Sequence, residues 1–313
     1  MSFSCTSFTP MSKYIISRRI QYIMQFIRDR HYPSKEAILE YLALRDFEIS
    51  ARTLERDFEK IKTDFGLELC YNNHQQGYYI DTEKSVKADS FFKFLELLNL
   101  GDVFRDGLQN HHELLDYVVF DDSSQLKNIE NLAPILQAFK LDCDLHFTYK
   151  KFSQEQPSQK HIRPLLLKEY LNRWYLIGVP QGKNQVRTYG VERMQNPRVG
   201  KLSTTPRSQY QDQLQKYDRV VGLFATDEQP QEIKLKVTNK HAQYLASLPL
   251  HHSQRILPAT ESGYQFVNLT LVPTHELDGQ ILKMSMYTEV IAPKSYRQHI
   301  QNEIEKIYKK YQD

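Results

Sequence analysis

Three basic residues recur at intervals of four positions between residues 52 and 60. On a helix, at about 100° per residue, they would form one stripe opposite the apolar stripe that starts at Leu54. Such a stripe suits the major groove of DNA, where hydroxyl and amide groups contact phosphate and arginine reaches guanine edges. The predicted DNA-contacting residues are Ser50, Arg52, Thr53, Arg56 and Lys60. Acidic residues flank the stripe, so a charged, solvated helix face without a DNA partner is the alternative.

A second concentration of positive charge lies between residues 144 and 220. This segment has fourteen lysines and arginines against six aspartates and glutamates, an excess of +8, whereas the net charge of the chain is only +3. Such a concentration costs self-repulsion and favours a site for a polyanion. Rings that could stack on bases are interleaved with the basic residues: Tyr149, His161, Tyr170, Tyr175 and Tyr189. The alternative is a solvated surface that the acidic segment 81–143 balances.

Catalytic motifs have little support in the sequence. The His275–Gly279 segment lacks the second histidine of a zinc protease helix, and His111–Glu113 has no third ligand at a suitable spacing. Phosphate-loop, dinucleotide-binding and nucleophile-elbow patterns do not occur. The cysteines at 5, 70 and 143 are too far apart to indicate a disulfide framework or a zinc site. We therefore predict a protein that is not an enzyme and has no metal or cofactor.

Length and composition indicate several globular domains without a membrane span. The 313 residues are about twice the length of a typical domain. No stretch approaches the roughly 18 consecutive apolar residues of a membrane helix, and the N-terminus lacks the features of a signal peptide. These observations predict a cytoplasmic protein with no membrane partner.

Hydrophobic periodicity predicts an N-terminal winged helix-turn-helix domain. Apolar residues recur with helical spacing from Ile16 to Ile27, around Leu42, and from Leu54 to Phe65. Alternating residues on both sides of a polar turn at 72–77 then predict a β-hairpin. Three small helices and a hairpin are the winged helix-turn-helix plan. We expect a flexible tail at 1–12 and this domain at 13–82.

The remaining chain divides into three further parts. Residues 83–141 are rich in leucine and acidic side chains, which predicts a helical linker. From residue 142 the period changes to two, and closely spaced short strands up to 220 predict a small β-barrel. Residues 221–313 have the βαββαβ order of a ferredoxin-like domain. The expected fold class is therefore α+β and multidomain.

Three groups of motifs resemble one known family in the order expected for it. The segments His161–Leu165, Trp174–Leu176, Arg187–Tyr189 and Val191–Met194 resemble the WYL domain. The Ser50–Asp57 segment and the Gly77–Ile80 strand resemble the helix-turn-helix that usually precedes WYL domains. The Pro249–Gln254, Glu276–Leu277 and Val290–Pro293 segments resemble its C-terminal extension, WCX. Glu192 replaces the aspartate of many relatives and retains its charge.

The resemblance implies a bacterial regulator whose WYL domain, an Sm-like or SH3-like barrel, senses a ligand. By that resemblance the ligand would carry phosphate, as a nucleotide or a single-stranded nucleic acid, and would contact Tyr149, His161, Arg163, Tyr175, Arg187 and Arg193. Strand alternation independently places Trp174 in the core and Tyr175 on the opposite face. Arginine suits this role because its planar guanidinium binds phosphate with two hydrogen bonds and stacks on bases.

Two functions remain open from the sequence. The first is a ligand-responsive transcriptional regulator that binds a double-stranded DNA operator, with a homodimer expected from half-site geometry and from the family. The second is a non-regulatory accessory protein whose barrel binds single strands. A sequence-specific footprint on duplex DNA would favour the first function over the second.

Overall fold

A computed structural model describes residues 10–85, 88–108, 127–153, 156–258 and 263–312. The predicted tail lies mostly outside the described residues, as do Cys5, the His111–Glu113 segment and part of the predicted linker. The chain divides into two compact units, residues 1–120 and 121–313. Helices and separate antiparallel sheets agree with the predicted α+β class at this level.

The first unit begins with three helices and a two-stranded hairpin. Its elements are α1 (Pro10–Asp29), α2 (Lys35–Ala43), α3 (Ala51–Phe65), β1 (Glu68–Asn72), β2 (Gly77–Asp81) and α4 (Ala88–Leu108). The apolar stripes predicted for α1 and α3 pack together, with Ile23, Leu42, Leu54 and Ile61 fully buried. Ser34 and Ser50 cap α2 and α3 through their hydroxyl oxygens.

The hairpin is tied to the helices at its second strand. The backbone N–H of Tyr78 donates to the carbonyl of Pro33 over 2.9 Å. A Cβ atom at Gly77 would lie 1.8 Å from the carbonyl oxygen of Tyr32. Only glycine therefore allows this close approach of the two backbones.

A five-stranded antiparallel sheet and one helix form the first part of the second unit. The helix is α5 (Leu132–Lys140), and the strands are β3 (Cys143–Tyr149), β4 (Ser158–Tyr170), β5 (Arg173–Pro180), β6 (Arg187–Gly190) and β7 (Met194–Leu202). Their order in the sheet is β6-β5-β4-β3-β7. Helix α5 lies within the segment predicted as linker, but Ile135 and Ala138 pack among Leu145, Phe147 and Leu176 of the sheet. This helix thus completes the core of the sheet.

A short helical segment covers part of the other face of this sheet. It consists of two 3-10 turns, Arg207–Tyr210 and Lys216–Arg219, around the short helix α6 (Gln211–Gln215). Tyr210, Leu214 and Tyr217 pack there with Ile177 and Val179. The two faces of β5 therefore belong to two different hydrophobic clusters, as the predicted strand alternation requires.

The second part of this unit is a four-stranded antiparallel sheet with three helices. Its elements are β8 (Gln231–Thr238), α7 (Asn239–Ser247), β9 (Arg255–Ile256), β10 (Tyr264–Leu271), α8 (His275–Lys283), β11 (Thr288–Ala292) and α9 (Lys294–Lys309). The element order up to β11 is the predicted βαββαβ, and the strand order is β11-β8-β10-β9. One sheet face packs against α7, α8 and α9 through Leu245, Leu277, Ile281, Tyr296 and Ile300.

His251 joins the two parts of the second unit. Its Nε2–H donates to the carbonyl of Asp218 over 2.9 Å, and its Nδ1 accepts the N–H of Ser253 over 3.2 Å. The second contact requires the neutral ring, because Nδ1 can accept a hydrogen bond only when it carries no proton. Burial, assisted by His252, lowers the pKa of His251.

We expect this histidine to make the second unit less stable at acidic pH. The unfolded chain binds a proton at His251 as the pH falls through about 6.5, whereas the folded chain does so only at lower pH. The free energy of unfolding therefore decreases as the pH falls below about 6.5 and levels off below the folded-state pKa. Urea unfolding followed by the fluorescence of Trp174 measures it. His251→Gln should remove part of this pH dependence and His252→Gln should retain most of it; equal slopes in both variants would contradict the assignment.

Candidate functional site

The basic stripe of α3 lies on the surface, as the sequence predicts. The side chains of Arg52, Arg56 and Lys60 are exposed, whereas Leu54 and Asp57 on the opposite side are buried. Arg56 and Lys60 form no ion pair with any residue that the structure describes. Both cations are therefore available to an external anion.

Two of the four acidic residues of α3 are engaged by cations from other elements. Asp57 receives two hydrogen bonds from Arg19, over 2.6 and 2.8 Å. Glu55 accepts a hydrogen bond of 2.6 Å from Lys35, which lowers the pKa of its carboxyl group. These contacts reduce the repulsion that the carboxylates would exert on a nucleic acid phosphate.

Ser50 and Thr53 are placed at the N-terminus of the same helix. The Ser50 hydroxyl oxygen accepts the backbone N–H of Thr53 over 3.2 Å, and the two hydroxyl groups lie 3.1 Å apart. Ser50 is exposed and Thr53 is half-buried. The structure thus gives both residues a capping role and leaves their predicted contacts with phosphate untested.

In the second unit, Arg193 lies between two aromatic rings. Its guanidinium carbon is 5.1 Å from the ring centre of Tyr149 and 4.4 Å from that of Phe152. Tyr149 is 3% exposed and its hydroxyl accepts the N–H of Gly190 over 3.1 Å, whereas Phe152 is 82% exposed. Cation–π attraction holds the guanidinium group beside the rings.

A short turn positions this arginine. Residues Val191–Arg193 form one 3-10 turn between β6 and β7. The buried amide of Asn131 donates to the carbonyls of Val191 and Met194 over 3.2 and 3.0 Å, and Asn128 donates to that of Glu192 over 2.8 Å. Two asparagines before α5 therefore hold the backbone on which Arg193 stands.

Charged and phenolic groups surround the turn. Glu192 lies 3.5 Å from Nε of Arg193 and 3.9 Å from a terminal nitrogen of Arg173. The pKa of Tyr175 is raised, mainly by burial and also by the charge of Glu192. Arg173 and Arg193 offset part of this increase. Nε of Arg193 is buried and has no hydrogen-bond acceptor among the described residues. We call Tyr149, Arg173, Tyr175, Glu192 and Arg193 the arginine cluster.

The arginine cluster borders a groove of about 380 Å³. Lys150, Lys151 and Phe152 line this groove. These three residues are not among the predicted site residues. The signal was present, since two lysines and an aromatic residue follow the predicted strand-terminal Tyr149 directly.

The structure brings three of the six predicted ligand-contacting residues together: Tyr149, Tyr175 and Arg193. Arg163 is only 7% exposed and donates a 2.5 Å hydrogen bond to Asp142. Arg187 is exposed on β6 and bonds to Gln185 over 3.3 Å. His161 lies on β4, elsewhere on the five-stranded sheet. The predicted contacts of all six with a ligand stay predictions.

His161 belongs to a separate groove with basic character. Its ring centre lies 3.9 Å from that of His146, the residue directly opposite on β3. Arg198 and Lys201 line the same groove. Burial and the neighbouring His161 lower the pKa of His146. No sequence signal indicated His146, because its proximity to His161 depends on the strand register.

Metal sites and membrane spans were searched for in the same described ranges. No group of three or more histidine, cysteine or carboxylate side chains suited to a metal ion occurs among them. None of the helices described is long and apolar enough to cross a bilayer.

Comparison with known proteins identifies two domains in the second unit. The model of the WYL domain matches residues 130–199, and the model of the WCX domain matches residues 229–308. A comparison with curated proteins finds no significant match.

Two solved structures are among those similar to the chain. One is proteasome accessory factor B/C (PafBC) of Arthrobacter aurescens, with 15% identity, a TM-score of 0.32, and coverage of 92% of this chain and 46% of that chain. The chain thus spans about half the length of PafBC. The other is a CRISPR Cas-related protein, with 12% identity, a TM-score of 0.37, and coverage of 99% of this chain and 89% of that chain. The two domain matches, in the predicted order, show that the chain contains a WYL domain followed by a WCX domain.

Proposed function

We propose that this protein is a DNA-binding transcriptional regulator whose WYL domain senses a phosphate-bearing ligand. In this proposal residues 10–81 form a winged helix-turn-helix, the five-stranded sheet is an Sm-like or SH3-like barrel, and the WCX domain is ferredoxin-like. The exposed basic stripe of α3 is the single observation on which the proposal depends most. The protein would act in the cytoplasm, where the chromosome is accessible. It would act by binding DNA and ligand, without catalysing a reaction.

The position of the stripe supports contact with duplex DNA. Arg52, Arg56 and Lys60 project from one side of a helix whose other side is buried against α1 and α2. The hairpin of β1 and β2 follows α3 directly, and its turn is polar and exposed. A recognition helix in the major groove with a neighbouring wing is a common arrangement for reading base edges.

The arginine cluster supports a ligand with phosphate groups. Nε of Arg193 has an ion-pair contact of 3.5 Å with Glu192 but no hydrogen bond among the described residues, and Lys150 and Lys151 add positive charge along the same groove. Exposed Phe152 offers a ring face on which a base could stack. We infer that a nucleotide or a single-stranded nucleic acid binds there, with phosphate on the cations.

Regulation would require two states with different ligand affinities. A ligand shifts an equilibrium only as far as its affinities for the two states differ. We propose a homodimer in which ligand binding at the WYL domain changes the spacing of the two DNA-binding domains. Since half-sites are separated by whole turns of the duplex, such a change alters operator affinity.

Selection from a random duplex library tests the proposed function. We expect the full-length protein to enrich one motif with two half-sites and to protect it from nuclease cleavage. Addition of an oligonucleotide or nucleotide that binds the protein should change that affinity. Enrichment of no duplex motif, together with tight binding of single strands, would instead favour the accessory protein whose barrel is the principal site.

Replacement of Arg193 tests the ligand site separately from DNA recognition. Arg193→Gln should weaken binding of a fluorescent oligothymidine by about 1.5 to 3 kcal/mol, because a charge-assisted hydrogen bond to phosphate is lost. Arg193→Lys retains the charge without the planar guanidinium, so its affinity should lie between those of the wild type and Arg193→Gln. Fluorescence anisotropy at fixed salt measures the affinities.

Lys183→Gln is the matched control for this prediction. It removes one positive charge from the turn between β5 and β6, which contains none of the arginine cluster residues. We expect a smaller loss of affinity, due only to the general field of the domain. Equal losses in Lys183→Gln and Arg193→Gln would show that the cluster has no specific role.

A further inference from the structure

The WCX sheet has a second face with a different chemical character from its core face. Along β8, Ile233, Leu235 and Val237 are buried against the helices, so Lys234 and Lys236 project to the other side. Along β10 the same alternation places Tyr264, Phe266 and Asn268 on that side. We call this surface, formed by Lys234, Lys236, Arg255, Tyr264, Phe266 and Asn268, the outer sheet face.

The two aromatic rings lie at the centre of the sheet. β8 and β10 are its middle strands, and Phe266 is directly opposite Lys236. Tyr264 and Phe266 are two residues apart on one strand, which separates their Cα atoms by about 7 Å. Tyr264 is 40% exposed and Phe266 is half-buried. Two neighbouring bases could therefore each find a ring to stack on.

A lysine accompanies each ring. Nζ of Lys234 lies 4.1 Å from the ring centre of Phe266, and Nζ of Lys236 lies 4.6 Å from that of Tyr264. The lysine stems are flexible, so a base could replace the ammonium above a ring while the ammonium moves to a phosphate. On the outer sheet face, each aromatic ring thus has a lysine ammonium within 4.6 Å of its centre.

The charge balance of this surface favours an anion. Arg255 on β9 is paired with Asn268 of β10, which extends the positive charge to the edge of the sheet. Glu289 on β11 lies opposite Lys236 in the sheet register, but Arg297 binds its carboxylate over 2.6 Å. Glu232 lies near the end of β8, opposite Thr270. The cations therefore occupy the centre of the face, where the rings are.

Asn268 provides an acceptor at the same place. It lies opposite Lys234 in the sheet register and beside Arg255. Its side-chain carbonyl oxygen is buried and has no hydrogen-bond partner among the described residues. A buried acceptor without a partner costs free energy, which a donor such as the ring N–H of a thymine base would recover.

We propose that the outer sheet face of the WCX domain is a second binding site for single-stranded nucleic acid, separate from the arginine cluster. Four-stranded sheets with aromatic residues on their middle strands bind single strands by stacking two or three bases. An acidic peptide would match the cations, but it would not use two neighbouring rings or the unpaired acceptor. This site adds to the proposed sensing by the WYL domain and does not depend on it.

Crosslinking and titration of the full-length protein test the proposal. The probe is an oligothymidine of about 12 nucleotides that contains photoreactive 5-bromouracil, a length within the range that single-strand domains occupy. We expect crosslinks to peptides of β10 as well as to peptides near Arg193. In an Arg193→Gln background, the remaining affinity should weaken at least about tenfold when Tyr264 and Phe266 are both changed to leucine, since stacking is lost.

Tyr308→Leu is the matched control, because Tyr308 is 64% exposed on α9, on the helical side of the same domain. It should change the affinity less than twofold. The double leucine variant and the control should have the same circular dichroism spectrum and unfolding midpoint. If the leucines disturb folding, Lys234→Gln is a milder variant, which we also expect to weaken binding. Absence of β10 crosslinks, unchanged affinity in the leucine and Lys234→Gln variants, or equally effective competition by polyglutamate would overturn the proposal. Loss of crosslinks near Arg193 alone would contradict the WYL site and leave this one supported.

Discussion

Replacement of Asp57 by alanine should destabilise the N-terminal unit by about 3 to 5 kcal/mol, the loss expected when one partner of a buried ion pair is removed. Asp57 is 2% exposed and Arg19 is 7% exposed, and two short hydrogen bonds join them between α3 and α1. Without the carboxylate, the guanidinium of Arg19 remains buried and uncompensated. Hydrogen exchange of peptides from residues 10–81 measures this loss in the full-length protein.

A double variant separates the lost ion pair from the lost volume. Arg19→Met combined with Asp57→Leu replaces the pair by apolar side chains, and such replacements are often neutral or stabilising. We expect it to recover most of the lost stability. Trp174, the only tryptophan, lies in the second unit. The unfolding midpoint of that unit, followed by tryptophan fluorescence, should therefore be the same in all variants. An unchanged exchange rate in Asp57→Ala would contradict a structural role for the pair.

Removal of the arginines of the α3 stripe should cause the largest loss of DNA affinity. We expect Arg52→Ala and Arg56→Ala each to weaken binding to the selected duplex by about 1 to 3 kcal/mol, if each arginine contacts a guanine edge. Lys60→Ala should weaken all duplexes similarly and reduce the salt slope by about 0.9, as expected for one phosphate contact. Titration of the selected and a scrambled duplex at several salt concentrations distinguishes these outcomes.

Lys62→Ala provides the control for charge alone. Lys62 is on the same helix, about 80° around the axis from Leu54 and outside the stripe, and it pairs with Glu68 over 3.0 Å. We expect its removal to change DNA affinity by less than either arginine does. Wild-type affinity for the selected duplex in both arginine variants would exclude α3 as the recognition helix.

Local periodicity was sufficient to predict most elements of the fold. The three N-terminal helices, the hairpin and the βαββαβ order follow from apolar residues that recur every three to four or every two positions. The strand β7 has a weak signal in the sequence, because Asn196, Pro197 and Gly200 interrupt its alternation, and its pairing with β3 is irregular. Hydrogen bonds with β3 stabilise β7 although its own sequence has little strand preference.

The site residues show where prediction from sequence ends. The basic stripe of α3 was predictable, because a helix fixes which side chains share a face within a few residues. The buried pair of Asp57 and Arg19 was not, since the two residues are 38 positions apart. Arg163 likewise meets Asp142 only after β4 is folded against the segment before β3.

Most of the elements, their order, the WYL and WCX motifs and the charge of each segment can thus be predicted from the sequence. The tertiary structure decided which charges remain accessible. It pairs exposed Glu55 with Lys35 and buried Asp57 with Arg19, buries Arg163 against Asp142, and places Nε of Arg193 3.5 Å from Glu192. Periodicity acts over a few residues and can be read along the chain. Burial and ion pairing depend on distances between residues far apart in sequence, which only the packed chain defines.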